Sequence, residues 1–131
     1  MGNFLENTVA WMERKGLASK YRHAGIYCIK IGTDIVYIGK SANMLRRIAE
    51  HYVGIKTGSE KKYRILAEAR RRGHPITFDV LYYAKSKGIA NQLAEIGEKE
   101  GEYIRRYMPM LNTQIPKAED WNKYENKSVD E

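Results

Sequence analysis

Glu100 is the carboxylate of this sequence whose position asks for chemistry. On a helix at about 100° per residue, Leu93, Ile96, Ile104 and Tyr107 all fall within about 40° of it. Glu95, Glu98 and Glu102 point roughly the other way. Glu100 is therefore expected in the middle of an apolar stripe. A carboxylate that faces inward is costly unless it is paired or metal-bound. Two readings stand side by side: a buried ion pair with an arginine, or a metal ligand or acid–base group at the edge of the core.

A second pair lies on the helix expected over about 43–53. Met44, Leu45, Ile48 and Tyr52 form its apolar stripe. Arg47 and His51 are four residues apart, so they stack on one flank of that stripe and can line a cleft. Arg46 points away to solvent. The stem of Arg47 can simply cover apolar surface, or its planar fork can grip a phosphate.

The tyrosines come from Gly25-Ile26-Tyr27 and Tyr37-Ile38-Gly39, with nine residues between Tyr27 and Tyr37. Tyr27, Ile29 and Ile31 share one strand face, as do Ile35, Tyr37 and Gly39. With Gly32-Thr33-Asp34 as a three-residue loop, Tyr27 stands opposite Gly39 and diagonal to Tyr37. Both hydroxyls then reach one site, and Gly39 leaves room for a substrate. A two-residue loop would break this parity. A tyrosine in a strand is more often packing, and this chain has ten.

The elements that must position these groups follow from periodicity and punctuation. Phe4, Leu5, Thr8, Trp11 and Met12 recur at helical spacing over 3–16, and Gly16 follows as a stop. Strands are expected at 25–31 and 35–40. Ser41-Ala42-Asn43 offers cap residues for the next helix, and 54–58 reads as loop. Ser59 can cap a helix over 60–72, which Gly73 and Pro75 close. Residues 76–83 alternate as a strand with two useful faces. A longer helix follows over about 91–107, ended by Pro109. The result is an α+β fold, a small three-stranded antiparallel sheet flanked by helices. It divides into an N-terminal helical extension (1–22), a main domain (23–115) and a polar tail (116–131). Trp121 and Tyr124 are the only anchors in that tail, which is expected to be loosely held.

Composition narrows the partners. The chain has 131 residues, enough for one domain with a modest core. No apolar run is long enough to span a membrane. The start, Met1-Gly2-Asn3-Phe4-Leu5-Glu6, lacks a basic and then apolar leader. Glu6 also stands where a myristoylation signal needs Ser or Thr. Cys28 is the single cysteine, so an intrachain disulfide and a cysteine-rich zinc site are excluded. A cytoplasmic setting is expected. Lys and Arg number 23 against 16 Asp and Glu, a net charge of +7 with a pI near 9.5. Such a balance favours a polyanion, nucleic acid first. Lys61, Lys62, Arg64, Arg70, Arg71 and Arg72 crowd one short segment and can grip backbone phosphates, or they form a solvated helix face.

Taken together, these motifs resemble those of the GIY-YIG nuclease family. The two tripeptides match its signature pair, and Tyr37 to Ile48 is similar to its second strand and following helix. Arg47, ten residues after Tyr37, falls at the family's catalytic arginine. His51 falls where the family has Tyr or His. The run from Glu100 through Pro109 to Asn112 resembles the family's closing pattern, in which a metal-binding Glu precedes a Pro and then an Asn. The resemblance covers about residues 23–113. It places Glu100, rather than Glu102, at the metal.

The resemblance implies hydrolysis of DNA phosphodiester bonds, double-stranded DNA being the expected partner, with one Mg²⁺ for which Mn²⁺ substitutes. A lone Glu100 suffices for such an ion. Arg47 would neutralise charge on the phosphoryl oxygens. Tyr27 would position or deprotonate the attacking water, its phenolate favoured by Lys40, Arg47 and the metal. Tyr37 and His51 would share or orient this work. Gly25, Gly39 and Asn112 take structural roles at the site, Asn112 tying the last helix to it. Specificity can come from residues 1–22, from 54–75 or from a homodimer. The rival class is a non-catalytic nucleic-acid-binding module that keeps the fold.

Overall fold

The structure is a computed structural model and describes residues 3–113. Trp121, Tyr124 and the rest of the expected tail lie outside the described residues. The element order is α1 (Phe4–Arg14), α2 (Ala18–Tyr21), β1 (Gly25–Ile31), β2 (Asp34–Ser41), α3 (Met44–Thr57), α4 (Lys61–Arg71), β3 (Ile76–Tyr83), α5 (Ile89–Tyr107) and α6 (Met110–Thr113). The strands form one antiparallel three-stranded sheet in the order β2-β1-β3. This is the α+β architecture expected from the pattern of elements. Among the described residues no helix is long and apolar enough to cross a membrane.

β1 is the central strand, and its burial shows it. Every residue from Gly25 to Ile29 is buried. Its two faces meet different helices. Tyr27 packs with Met44, Leu45 and Ile48 of α3 and with Met12 of α1. Ile26, Cys28 and Ile38 pack with Ile96 of α5. A third cluster joins Ile29, Ile31 and Val36 to Ile55 of α3 and to Tyr63 and Leu66 of α4. Each fully buried Ile or Leu contributes about 1.5–3 kcal/mol of transfer free energy, so the sheet is held as the centre of a helix–sheet–helix sandwich.

The hairpin departs from the expected turn in an instructive way. Ile31 pairs with Asp34, so the loop is the two residues Gly32-Thr33. Taken alone, that loop would throw Tyr27 out of register with Gly39. A β-bulge restores it. Lys30 pairs with Ile35 and Ile29 with Tyr37, leaving Val36 as the extra residue of β2. Tyr27 therefore faces Gly39 after all. The bulge moves Ile35 to the α5 side, where it packs near Ile38, while Val36 and Tyr37 face the α3–α4 side. The expectation that Ile35 shares a face with Tyr37 is corrected accordingly.

Two helix boundaries also differ. α3 continues through the stretch read as loop and ends at Thr57, with Gly58 as a left-handed C-cap at φ 67°. Gly54 sits inside the helix because the ring of Tyr63 lies against its Cα, where any Cβ would collide with it. The N-cap of α3 is Asn43, whose side chain accepts from Arg46 N at 3.3 Å. The N-cap of α4 is Glu60 rather than Ser59, and no side-chain hydrogen bond closes it.

Candidate active site

β2 is an edge strand, and the candidate residues gather around its end at Gly39-Lys40. On the α3 side stand Tyr27, Tyr37, Arg47 and His51. On the α5 side stand Lys40 and Glu100. Asn112 pins the open edge beside them: its Nδ2 donates to Ile38 O at 2.8 Å and its Oδ1 accepts from Ile38 N at 2.7 Å. The side-chain amide thus completes a backbone ladder that has no further strand to pair with.

Tyr27 is wholly buried. Its hydroxyl is 2.6 Å from His51 Nε2, and the space above Gly39 is filled by that same hydroxyl. Gly39 therefore makes room for Tyr27, not for a substrate. Gly25 has a similar packing reason, since a Cβ there would strike the carbonyl of Tyr82 on β3. Burial pushes the Tyr27 phenol well above the ordinary tyrosine range, with Tyr37 adding to the rise and the Arg47 guanidinium opposing it. Lys40 lies on the other face of the strand, so of the two cationic side chains expected to favour the phenolate it is Arg47 that acts on Tyr27.

His51 is also fully buried and does not line a cleft. Its Nδ1 lies 2.9 Å from the Tyr63 hydroxyl. Burial first, and then the nearby cations Arg47 and Lys62, lower its pKa to about 3. The imidazole is therefore neutral. It sits in an aromatic cage: Tyr27, Tyr37 and Tyr63 lie at ring separations of 5.3, 5.4 and 5.6 Å, and Phe78 stacks at 6.3 Å.

Arg47 joins this buried cluster to the surface. Its side chain is 35% exposed, its Nη1 donates to Glu50 at 3.0 Å, and its charge acts on the Tyr27 phenol. Tyr37 is half-buried, and its hydroxyl has no hydrogen-bond partner among the described residues. Lys62 Nζ lies over the Tyr37 ring at 4.9 Å. Tyr37, not Tyr27, is thus the phenol of the pair that can meet water.

Glu100 is 25% exposed, with Lys40 Nζ 3.9 Å away. It lies between Ile96 and Ile104, which with Tyr103 pack on the cluster of Ile26, Cys28 and Ile38. The outer members of the expected stripe are open, Leu93 and Tyr107 being 47% and 43% exposed. Glu95, expected to point away, accepts from the Tyr82 hydroxyl and from Lys85 and Ser86 backbone N–H groups. These donors hold its carboxyl down to about 2, the Tyr82 hydroxyl first among them. Glu95 fastens the loop before α5, a structural role that helical phase alone did not reveal.

The basic residues of the α4 region are not equivalent. Glu68 pairs with both Arg71 and Arg72, and Arg64 donates to Gly58 O at 3.0 Å. Lys61 and Arg70 are exposed. Lys62 is the member nearest the site, through its position over Tyr37 and Tyr63.

These features define a small α+β domain whose edge strand carries cations on one face and a carboxylate with its lysine on the other. No family model and no curated protein matches the chain. Among solved structures it is similar to the GIY-YIG N-terminal endonuclease domain of UvrC from Thermotoga maritima, in a point mutant bound to its catalytic divalent cation. The identity is 20%, the TM-score 0.44, and the match covers 83% of this chain and 94% of that one. Against the magnesium-bound form of that domain the identity is 15% and the TM-score 0.43, covering 83% and 96%. Similarity at this level carries no argument about function, and the reading of the site rests on the chain's own residues.

Proposed function

We propose that this chain is a divalent-metal-dependent endonuclease that hydrolyses phosphodiester bonds in DNA. One observation carries the reading. Adjacent residues of the edge strand lead to two groups far apart in sequence: Lys40 pairs with Glu100 at 3.9 Å, and Gly39 packs against the Tyr27 hydroxyl, on which the Arg47 charge acts. A phosphate at that edge would meet a guanidinium from one face and a carboxylate from the other.

The residues fit a magnesium-type ion. Glu100 is partly exposed, and its only ion pair among the described residues is the long one to Lys40. No group of three or more His, Cys, Asp or Glu gathers among the described residues, at Glu100 or away from it. A single carboxylate completed by water and phosphate oxygens suits Mg²⁺ or Mn²⁺ and does not suit a structural zinc. Bound there, such an ion would polarise the scissile phosphate and stabilise the leaving oxygen.

The protein's own groups do the rest. Arg47 neutralises charge that builds on the phosphoryl oxygens. Lys40 holds the Glu100 carboxylate and adds positive charge at the edge. Tyr37, half-buried at the edge and with no hydroxyl partner among the described residues, orients the attacking water. Tyr27 and His51 do not touch substrate; they form the wall behind Arg47. Lys62, Lys61 and Arg70 supply positive charge for the flanking backbone.

Nicking of supercoiled plasmid tests the proposal directly. Cleavage is expected with Mg²⁺ or Mn²⁺ and not with EDTA. Glu100→Gln is expected to abolish it while DNA binding survives. Binding without cleavage by the unaltered chain would leave a nucleic-acid-binding module and no enzyme. Cutting that persists in Glu100→Gln would remove Glu100 from the mechanism.

A further inference from the structure

α1 carries two aromatic rings that join none of the core clusters. Phe4 is 53% exposed and Trp11 38%. They stand two turns of helix apart and so share a face of α1. A groove of about 490 Å³ runs between that face and α3. Trp11 meets Tyr52 of α3 edge-on, with ring centres 5.7 Å apart. Lys56, one turn further along α3, holds its Nζ 4.6 Å from the centre of the Phe4 ring. Asn7 of α1 and Arg70 of α4 also line the groove.

This lining selects a class of ligand. Among the described residues no carboxylate lines the groove. Lys56 and Arg70 are exposed, and neither has a carboxylate partner among the described residues. The exposed side-chain amide of Asn7 has no hydrogen-bond partner there either. Cations beside flat aromatic faces suit a ligand that is planar and anionic at once. A nucleotide is such a ligand: its base stacks on the rings, its phosphate meets the cations, and an amide can bond the base edge. An acidic peptide would use the cations and leave the rings idle. In a duplex the faces of each base are covered by its neighbours, so only an unpaired base can enter.

We propose that the groove between α1 and α3 binds an unpaired nucleotide of DNA, with Phe4 and Trp11 stacking on the base and Lys56 and Arg70 meeting its phosphates. This deepens the nuclease reading by adding a second contact to the substrate, and it rests on DNA being the partner. The groove is separate from the proposed cleavage edge. Tyr52 packs on Phe78 of β3 at 4.8 Å, and β3 and β2 lie on opposite sides of β1. The preferred substrate is then DNA that has an unpaired stretch as well as the bond to be cut.

The test uses the full chain with Trp121→Phe, which leaves Trp11 as its one tryptophan, in EDTA so that no strand is cut. The probes are a thymidine oligonucleotide, the same backbone built of abasic sites, a duplex of equal length and a polyglutamate peptide. The oligonucleotide is expected to quench Trp11 fluorescence and to bind about tenfold more tightly than the abasic strand, the gain from stacking one base. The duplex should leave Trp11 unquenched. Phe4→Ala, at an exposed position, should remove most of the difference between the two single strands. Equal affinity for those strands overturns the proposal, as does quenching by the duplex or by polyglutamate as strong as by the oligonucleotide. A Phe4→Ala chain that keeps the whole difference overturns it as well. A chain that shows the expected effects but never nicks plasmid defeats the nuclease reading and leaves the groove standing. One that nicks plasmid and shows none of them defeats the groove alone.

Discussion

The hydroxyl of Tyr27 lies 2.6 Å from His51 Nε2, and neither residue is exposed to solvent. This pairing buries both side chains, and the proposed mechanism uses them as supports. Groups that remain accessible at the edge of β2 are Arg47, Tyr37, Lys40 and Glu100. The division between buried supports and accessible groups sets the consequences of substitution.

Arg47 and Arg46 are adjacent yet should behave differently. Arg46 is 60% exposed and only 3.9 Å from Glu50, whereas the charge of Arg47 acts on the buried tyrosine. Arg47→Ala is expected to lower turnover about 10²- to 10³-fold, the usual loss for a group that stabilises transition-state charge. Arg46→Ala should leave it within about twofold, because an exposed ion pair contributes little. Equal effects in single-turnover cleavage would show that the phase of α3 does not select the functional arginine.

His51 makes stability depend on pH. Its folded pKa is depressed to about 3 from 6.5, by burial first and then by Arg47 and Lys62. The unfolded chain therefore binds a proton below about pH 6.5 that the folded chain refuses. This contribution is fully present above pH 6.5, shrinks as pH falls, and is lost towards pH 3. Its size is of the order of several kcal/mol. Urea melts at pH 7, 5 and 4 should show the decline, and His51→Gln should flatten it. A flat profile in the unaltered chain would mean that the imidazole is not held neutral.

Gly39 and Gly54 each give way to an aromatic ring. A methyl group on Gly39 would meet the Tyr27 hydroxyl, and one on Gly54 would meet the Tyr63 ring. Overpacking of this kind costs about 1–3 kcal/mol. Gly39→Ala and Gly54→Ala should each lower the denaturation midpoint, whereas Gly73→Ser, at a turn glycine with open space around it, tests the separate effect of backbone strain at φ 90°. Unchanged midpoints for the first two would show that the rings are free to move aside.

Salt should act on binding through the exposed Lys61 and Arg70 more than through Lys62, paired with Glu60, or the arginines held by Glu68. The logarithm of affinity is expected to fall linearly with the logarithm of salt concentration. Lys61→Ala should reduce that slope by about one, and Arg71→Ala by less. Fluorescence titrations between about 50 and 200 mM salt distinguish the two. Identical slopes would remove the proposed division of α4.

Much of this architecture is legible in the residues themselves because it is local. Alternation marks the strands, helical spacing marks the helices, and Pro109 and Gly73 mark the ends of two of them, whereas α3 runs on past its expected end to Gly58. The pairing of Tyr27 with Gly39 follows from the tripeptide motifs, although by a route the turn residues do not disclose: a two-residue loop and a bulge at Val36 replace a three-residue loop. Strand register is a property of two segments at once, so the bulge becomes visible only when both strands and their packing partners are in place.

What tertiary structure alone decides is burial. Helical spacing puts Glu100 at the centre of an apolar stripe, and Ile96 and Ile104 on either side of it do pack on the sheet cluster, but Leu93 and Tyr107 stay open at the two ends. The narrow contact leaves Glu100 partly accessible beside Lys40, and Glu95 is bonded to the preceding loop. His51 stands at a helix flank that α4 then covers, which makes it a core residue. Tyr63 carries no signal in the sequence, since its part depends on a hydrogen bond to another helix and on the missing side chain of Gly54. Spacing along the chain determines which residues can share a face, while the packing of one element on another determines which of them meets water.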